Sequence, residues 1–524
     1  MTTRTTAPAP AGPLDTGLLD AFAKAPEDRL DAEFLRLAGA VWGEDAPRGA
    51  AVRAVPALVE LMDSADDRRR GYLAVLLGLL AESEHPATDG PVLAAVRRGL
   101  DRYLELLRRS GAGTPLTTAL LYLLSHFPGD RERILAAAAD ESLAVGKEDL
   151  TRLERSLRGL DPADPDLGRC WPSPAAWYLD EDERDFDRGQ IRGLTPEQIT
   201  ANWNNDTRTV LAYSGMKAYW AVRHGAALET SYPAPPAGAA AGEPSGPGAD
   251  AFARHADALR CPSCRGRLDF AGGGVRCGEC STPFPFARGM LDLSGGATGS
   301  RATDEDDTAD LLQKLAAMPS MGVYYESVLR PAFLRISGLN WDDALTPADE
   351  DAYLLARTRP VDGPVLDLAA GAGRWTAVLE QAVGADRLIA LDLGLPMLNT
   401  LRRRLPDVPA VIASALDLPF GDATLGAVNC WNALQAFPEQ ADVAIAEVGR
   451  CLKPGGTFTL MTFRWADDPV DRYFQSSHHF PSRPAGMLLF ELEDLRKWLA
   501  DAGLEIRDES GVGSTVLITA VRTA

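Results

Sequence analysis

Four of the seven cysteines, Cys261, Cys264, Cys277 and Cys280, fall in the segment LRCPSCRGRLDFAGGGVRCGEC as two C-x2-C pairs separated by twelve residues. Each pair lets two thiolates converge from one tight turn, and two pairs supply a tetrahedral set of soft sulfur ligands suited to Zn²⁺. All four positions are filled by protein, so the spacing predicts a structural metal, without which so short a ribbon could not form a core. Two disulfides or a redox pair are the alternatives. Cys170, Cys430 and Cys451 are scattered and read as small buried hydrophobes.

A second arrangement begins at Pro364, PVLDLAAGAGRWTAVLEQA, where a short apolar strand runs through a turn of small residues into an amphipathic helix. Small residues let the backbone turn sharply and approach a ligand closely. Nineteen residues after Gly373 the next apolar strand, LIALD, ends at Asp392. A carboxylate there can accept from both ribose hydroxyls of a nucleoside cofactor. Two further groups could act on a second substrate. His478 and His479 lie in the segment 463–490 of a chain with six histidines, and a near-neutral imidazole suits a general base. Trp431, Asn432 and Gln435 form a polar and aromatic group suited to orienting a substrate. The pair Asp467/Asp468 reads as solvated.

These residues need elements to carry them. The 524 residues predict two to four domains, and 46% apolar with 24% charged residues excludes a wholly disordered chain. Residues 1–13 read as a disordered tail. Residues 14–230 carry helical periodicity nearly throughout, broken at HPATDGP, SGAGTP and FPGDR. The helices could pair as a HEAT-like stack or form an irregular bundle; no strict period separates the two. Trp171, Trp177, Trp203 and Trp220 crowd its last stretch, as a docking face, part of a ligand pocket or the closing layer of the stack. A Pro/Gly/Ala-rich linker follows over 231–254, then the ribbon over 255–295. From 300 to 524, strands and helices alternate, with strands at 365–368, 388–392, 410–414, 427–431 and 457–463 and a terminal antiparallel pair. That order predicts a doubly wound, Rossmann-like α/β sheet.

The region from about 255 to 524 resembles a class I S-adenosylmethionine (SAM)-dependent methyltransferase with a fused N-terminal zinc ribbon. DLAAGAG is similar to the family's glycine-rich motif, ALDLGLPML to its acidic second-strand motif, ALDLPFGDATLGAV to the approach to strand four, and CLKPGGTF to the turn before strand five. The resemblance implies that Asp367, Ala369, Gly371 and Gly373 line the methionine and ribose portion of SAM. It also implies that Asp392 holds the ribose, with Leu393, Ser414, Ala415 and Leu416 around the adenine. Asn429 to Asn432 would line the methyl-transfer face, and the segment around Tyr324, Tyr325 and Glu326 would cap the cofactor. Ala369 stands in place of the motif's first glycine, Ser414 in place of an Asp that accepts from adenine, and Gly426 in place of the Asp that opens strand four.

The expected function is therefore methyl transfer from SAM to a small molecule in bacterial specialised metabolism. Alternatives are an elimination or cyclisation on the same fold, such as aziridine formation by loss of sulfate, an RNA base methyltransferase, or a pseudoenzyme scaffold. A carrier or partner protein could dock on the helical half. The formal charge of −21, from 74 acidic and 53 basic residues, weighs against nucleic-acid and anionic-membrane partners. No apolar run reaches the ~18 residues of a membrane span, and MTTRTTAPAPAGP lacks the apolar stretch of a secretory signal, so a cytoplasmic protein is expected.

Overall fold

A computed structural model describes residues 16–43, 49–161, 185, 195–228, 248–271, 274–295, 325–326, 330–478 and 488–524. The tail expected over 1–13, most of the linker, and Cys170, Trp171, Trp177, Tyr324 and His479 lie outside them. The described residues form two compact units, one built on 16–161 and 199–228, the other on 248–524.

The first unit is all helical. Its helices are Thr16–Lys24, Leu30–Val41, Ala50–Ser64, Asp67–Glu82, Pro91–Arg97, Leu100–Arg109, Pro115–Leu124, Arg131–Ala138, Lys147–Ser156 and Pro196–His224. Asp66 starts the fourth by accepting from the Arg69 amide, and every residue of that helix from Gly71 to Glu82 is buried. Of the aromatic residues crowded near the end of this unit, Trp203 is packed internally and Trp220 is partly exposed. Arg155 pairs with Asp206 at 2.6 Å and lies 3.6 Å above the Trp203 ring, all three buried. Trp220 stacks on His224 one turn further along the same helix, at 4.1 Å.

The second unit is built on strands β1 (Leu268–Asp269), β2 (Val275–Cys277), β3 (Pro283–Phe284), β4 (Phe286–Ala287), β5 (Met290–Asp292), β6 (Val365–Leu368), β7 (Leu388–Asp392), β8 (Ala410–Ile412), β9 (Leu425–Trp431), β10 (Leu452–Phe463), β11 (Leu504–Ser510) and β12 (Thr515–Arg522). Around them run helices α1 (Arg330–Ile336), α2 (Pro347–Arg357), α3 (Arg374–Val383), α4 (Leu395–Arg404), α5 (Ala441–Cys451), α6 (Pro469–Ser477) and α7 (Leu492–Asp501). Strands β1 to β3 form a small antiparallel ribbon. The rest form one nine-stranded sheet in the order β11-β12-β10-β9-β6-β7-β8-β5-β4, parallel from β10 to β5. Strands β6 and β7 are wholly or almost wholly buried, as a parallel sheet covered on both faces requires.

Two features go beyond the sequence pattern. Strand β5, next to the ribbon, pairs in parallel with β8, so ribbon and α/β sheet share a hydrophobic core that includes Leu259, Cys261, Cys277, Leu418 and Phe420. Strand β9 starts at Leu425, two residues before the expected 427, because Leu425 already pairs with Leu452 of β10; Gly426, next to it, lies against the backbone of Val361. A Cβ at Gly426 would stand 2.4 Å from the Val361 carbonyl oxygen, so close approach accounts for glycine at this position.

Candidate functional site

The strand order reverses between β6 and β9, and ligands of open α/β sheets bind in the crevice beyond the carboxyl ends of strands at such a point. The glycine-rich turn sits there. Ala369, Gly371 and Gly373 take φ of +57°, +54° and +85°. Only glycine enters this region without cost, and Gly373 is doubly constrained: a Cβ would lie 2.9 Å from Leu401 of α4. Asp392, at the end of β7, closes the arrangement. Its Oδ2 accepts from the Gly371 amide at 2.8 Å and its Oδ1 from the Gly394 amide at 2.7 Å. Burial raises its pKa, and these amide bonds oppose the rise.

Asp367 and Asn429 stand opposite each other on β6 and β9. Asp367 is 2% exposed and accepts from Thr376 Oγ1 at 2.5 Å. Burial, reinforced by the Asp392 charge, pushes its carboxyl up to about 7. Asn429 Oδ1 accepts from Thr358 Oγ1 at 3.0 Å, so its side chain is anchored within the sheet.

At the end of β9 the structure joins residues far apart in the chain. Asn432 holds the left-handed φ of +57° that asparagine tolerates, and its Nδ2 donates to the Tyr325 hydroxyl at 2.6 Å. Its Oδ1 accepts from Gln435 Nε2 at 2.7 Å, and Gln435 Oε1 accepts from Thr462 at 3.1 Å. Both ends of the Asn432 amide are thus fixed. Burial holds the Tyr325 hydroxyl protonated up to about 12. The indole N–H of Trp431 donates to Glu350 at 2.7 Å, and Glu350 forms a buried ion pair with Arg330, whose guanidinium lies 4.7 Å over Trp375.

Glu326, next to Tyr325, bears on the turn: Arg404 of α4 donates to Glu326 at 2.6 and 3.1 Å and to the Ala372 carbonyl at 3.3 Å. On the adenine side named by the resemblance, Ser414 Oγ accepts from the Leu416 amide at 3.1 Å, and Ser414, Ala415 and Leu416 are partly exposed. Leu393 is 43% exposed. His478 belongs to a different set of contacts: it is buried at the end of α6, its ring edge-on to Phe333 at 5.5 Å. Asp467 is exposed beside Arg464, and Asp468 caps α6 by accepting from the Val470 and Asp471 amides.

In the ribbon the four cysteine sulfurs lie within 4.8 Å of one another, the only cluster of its kind among the described residues. Backbone amides of Glu279 and Cys280 point at Cys277 Sγ, each at 3.4 Å, as a thiolate knuckle requires. Gly266 is needed there, since a Cβ would meet Cys277 Sγ at 3.0 Å. The donor set fits a tetrahedral soft metal.

The sequence reading did not single out Arg330, Glu350, Trp375, Thr358, Thr376 or Arg404. Buried charge at Arg330 and Glu350 has no periodic signature, and their partners lie 20 and 81 residues away.

Residues 365–456 match a family model described as a methyltransferase domain. An uncharacterized chloroplastic methyltransferase of Arabidopsis thaliana is 27% identical over 267 residues, covering 46% of this chain and 72% of the relative. A second from the same plant is also 27% identical, over 36% of this chain and 54% of the relative. A demethylmenaquinone methyltransferase of Corynebacterium kroppenstedtii is 39% identical over 106 residues, 20% of this chain and 44% of that protein. The chain thus spans about half or less of two of these three relatives.

Proposed function

From a chain whose C-terminal half carries a class I SAM-dependent methyltransferase domain, we propose that the protein transfers a methyl group from SAM to a small-molecule acceptor in bacterial specialised metabolism. The observation that carries this is the Asp392 carboxylate, tied by the Gly371 and Gly394 amides into the glycine-rich turn at the switch point of the sheet. Each oxygen keeps accepting capacity beyond those bonds. The residues present fit the cofactor: Asp367, Gly371 and Gly373 would hold its methionine and ribose portion, Asp392 its ribose hydroxyls, and Ser414 to Leu416 its adenine. When bound, SAM supplies a methyl group activated by a sulfonium.

The remaining work falls to this chain's residues. Methyl transfer is an in-line displacement helped chiefly by proximity and by removal of the acceptor's proton. Asn432, fixed between Gln435 and Tyr325, orients the acceptor. The Tyr325 hydroxyl, protonated up to about 12, serves as a hydrogen-bonding group and not as a base. In this reading the acceptor's proton goes to His478 or His479. The four ribbon cysteines hold one structural Zn²⁺, with no open coordination position for chemistry.

A small acceptor agrees with the acidic balance of the chain and with relatives named as demethylmenaquinone methyltransferases. A cytoplasmic location belongs to the same reading; no described helix is long and apolar enough to cross a membrane. A carrier or partner protein on the helical unit would complete it. The test is calorimetric titration of the purified protein with SAM and S-adenosylhomocysteine, for which micromolar binding of both is expected. No measurable heat with either would sink the reading.

A second reading, elimination or cyclisation on the same fold, is favoured by Ser414, whose hydroxyl oxygen already accepts from Leu416 where the family carries a carboxylate. Product mass separates the two: a methylated product is heavier by one methylene.

A further inference from the structure

We propose that the zinc ribbon positions the adenine wall of the cofactor site, with Arg265 as the positioning residue; the inference rests on the cofactor reading above and adds to it a structural route from the ribbon to the site.

The turn Ala413–Leu416 is held by ribbon-side contacts before and after it. Before it, β5 pairs with β8 from Met290↔Ala410 to Asp292↔Ile412, and the Leu293 amide adds a bond to the Ile412 carbonyl at 2.9 Å. After it, the Arg260 amide donates to the Pro419 carbonyl at 2.9 Å, the Gly421 amide donates to the Ala258 carbonyl at 2.8 Å, and Leu259 bridges Phe420. Arg265 holds the residues that directly follow the turn. Its Nη1 donates to the Leu418 carbonyl at 2.8 Å and its Nη2 pairs with Asp417, the residue directly after Leu416. The Leu418 amide is held in turn by Glu447 at 2.8 Å and the Leu418 carbonyl also accepts from Arg450 at 3.1 Å, so both polar groups of that residue are committed and Arg265 shares the carbonyl with Arg450.

Arg265 also follows the second cysteine of the first knuckle. Its amide donates to the Cys261 carbonyl at 2.8 Å, and its φ is +62°. Ser281, directly after the second knuckle, has a matching left-handed φ of +61°, so this backbone conformation belongs to the knuckle turn. Because the Arg265 backbone is set by the Cys261–Cys264 turn, the direction of its guanidinium depends on that turn being formed. Closing the knuckle around a metal therefore presents the guanidinium to Leu418 and, through it, fixes the segment that carries Ser414, Ala415 and Leu416.

The experiment compares zinc-loaded wild type, Arg265→Ala and Arg265→Lys. It measures metal per chain, SAM affinity by titration, and backbone hydrogen exchange of a peptide covering residues 413–421. Arg265→Ala is expected to keep its zinc, to exchange faster in that peptide, and to bind SAM about tenfold more weakly, the loss of one charge-assisted bond. Arg265→Lys keeps a cationic donor and should recover part of both effects, which a mere loss of ribbon stability would not produce. Unaltered exchange in 413–421 with Arg265→Ala overturns the inference, as does faster exchange with unchanged SAM affinity. Should Arg265→Ala not fold, Asp417→Ala removes the ion pair from the other, half-exposed side and is read in the same way. If wild type binds no SAM, the cofactor reading fails by itself, and the exchange result alone then decides whether the ribbon holds the turn.

Discussion

The carboxylate of Asp392 accepts a hydrogen bond from the backbone amide of Gly371, 2.8 Å away and 21 residues earlier in the chain. One side chain therefore shapes the glycine-rich turn and, in the function proposed above, is also the acceptor for the cofactor's ribose. Removing it acts on both. Asp392→Ala is expected to weaken SAM binding by roughly a hundredfold to ten-thousandfold, from two charge-assisted bonds of about 1.5–3 kcal/mol each. It should also lower the melting temperature, because the Gly371 and Gly394 amides lose their partner. Asp392→Asn keeps one acceptor but sets a donor against one of those amides, and should fall between. Titration alongside thermal melts checks both effects; weaker binding with an unchanged melting temperature would contradict the double role.

Asp367 makes the stability of the ligand-free protein depend on pH. Burial holds its proton up to about 7 in the folded chain, against 3.8 for the ordinary side chain. Between these values the folded state binds more protons than the unfolded state, so its contribution falls as pH rises from about 4 to about 7. Subtracting the profile of Asp367→Asn from that of wild type should isolate this slope. A flat difference would show that Asp367 is ionised throughout. If Asp367 holds the methionine portion of SAM, as proposed above, that ligand's positive charge would favour the carboxylate, and SAM binding near pH 6.5 should release protons. Calorimetry in buffers of different ionisation enthalpy measures that release.

Ala369 adopts a φ of +57° at the position where the motif usually has glycine. The left-handed conformation costs a residue with a Cβ roughly 1–2 kcal/mol, partly offset by the extra freedom glycine has when unfolded. Ala369→Gly should therefore stabilise the protein by up to about 1 kcal/mol in chemical denaturation. A loss of stability would mean that the Ala369 methyl packs usefully in the turn.

Asn432 should affect turnover more than cofactor binding. Asn432→Ala leaves the Tyr325 hydroxyl and Gln435 without the amide that links them. Loss of an orienting group predicts a fall in kcat of roughly tenfold or more, with SAM affinity within a factor of about two. An equal fall in SAM affinity would move Asn432 to the cofactor.

Metal analysis of freshly purified protein should find one zinc per chain, bound by Cys261, Cys264, Cys277 and Cys280. Full retention in a Cys261→Ser/Cys277→Ser double variant would contradict the assignment.

The sequence alone disclosed what short-range physics encodes. Alternating apolar strands and amphipathic helices marked β6 and β7 to the residue, and the two C-x2-C pairs marked the sulfur cluster. Small residues after β6 and an acid at the end of β7 marked the crevice, because tight turns and strand ends have local residue requirements. What tertiary structure decided involves groups with no local signature. Tyr325 meets Asn432 across 107 residues, Trp431 meets Glu350 across 81, and Arg265 reaches Leu418 across 153. Gly426 departs from the family's acidic pattern, and the Val361 backbone lying against it is the reason a glycine stands there. Trp203, readable from sequence as a docking face, part of a pocket or the closing layer of the stack, is buried beneath Arg155. Hydrogen bonds and close backbone approaches are made by the partner that folding brings near, and that partner is chosen by the sheet order and the packing around it, not by the residue's neighbours in the chain.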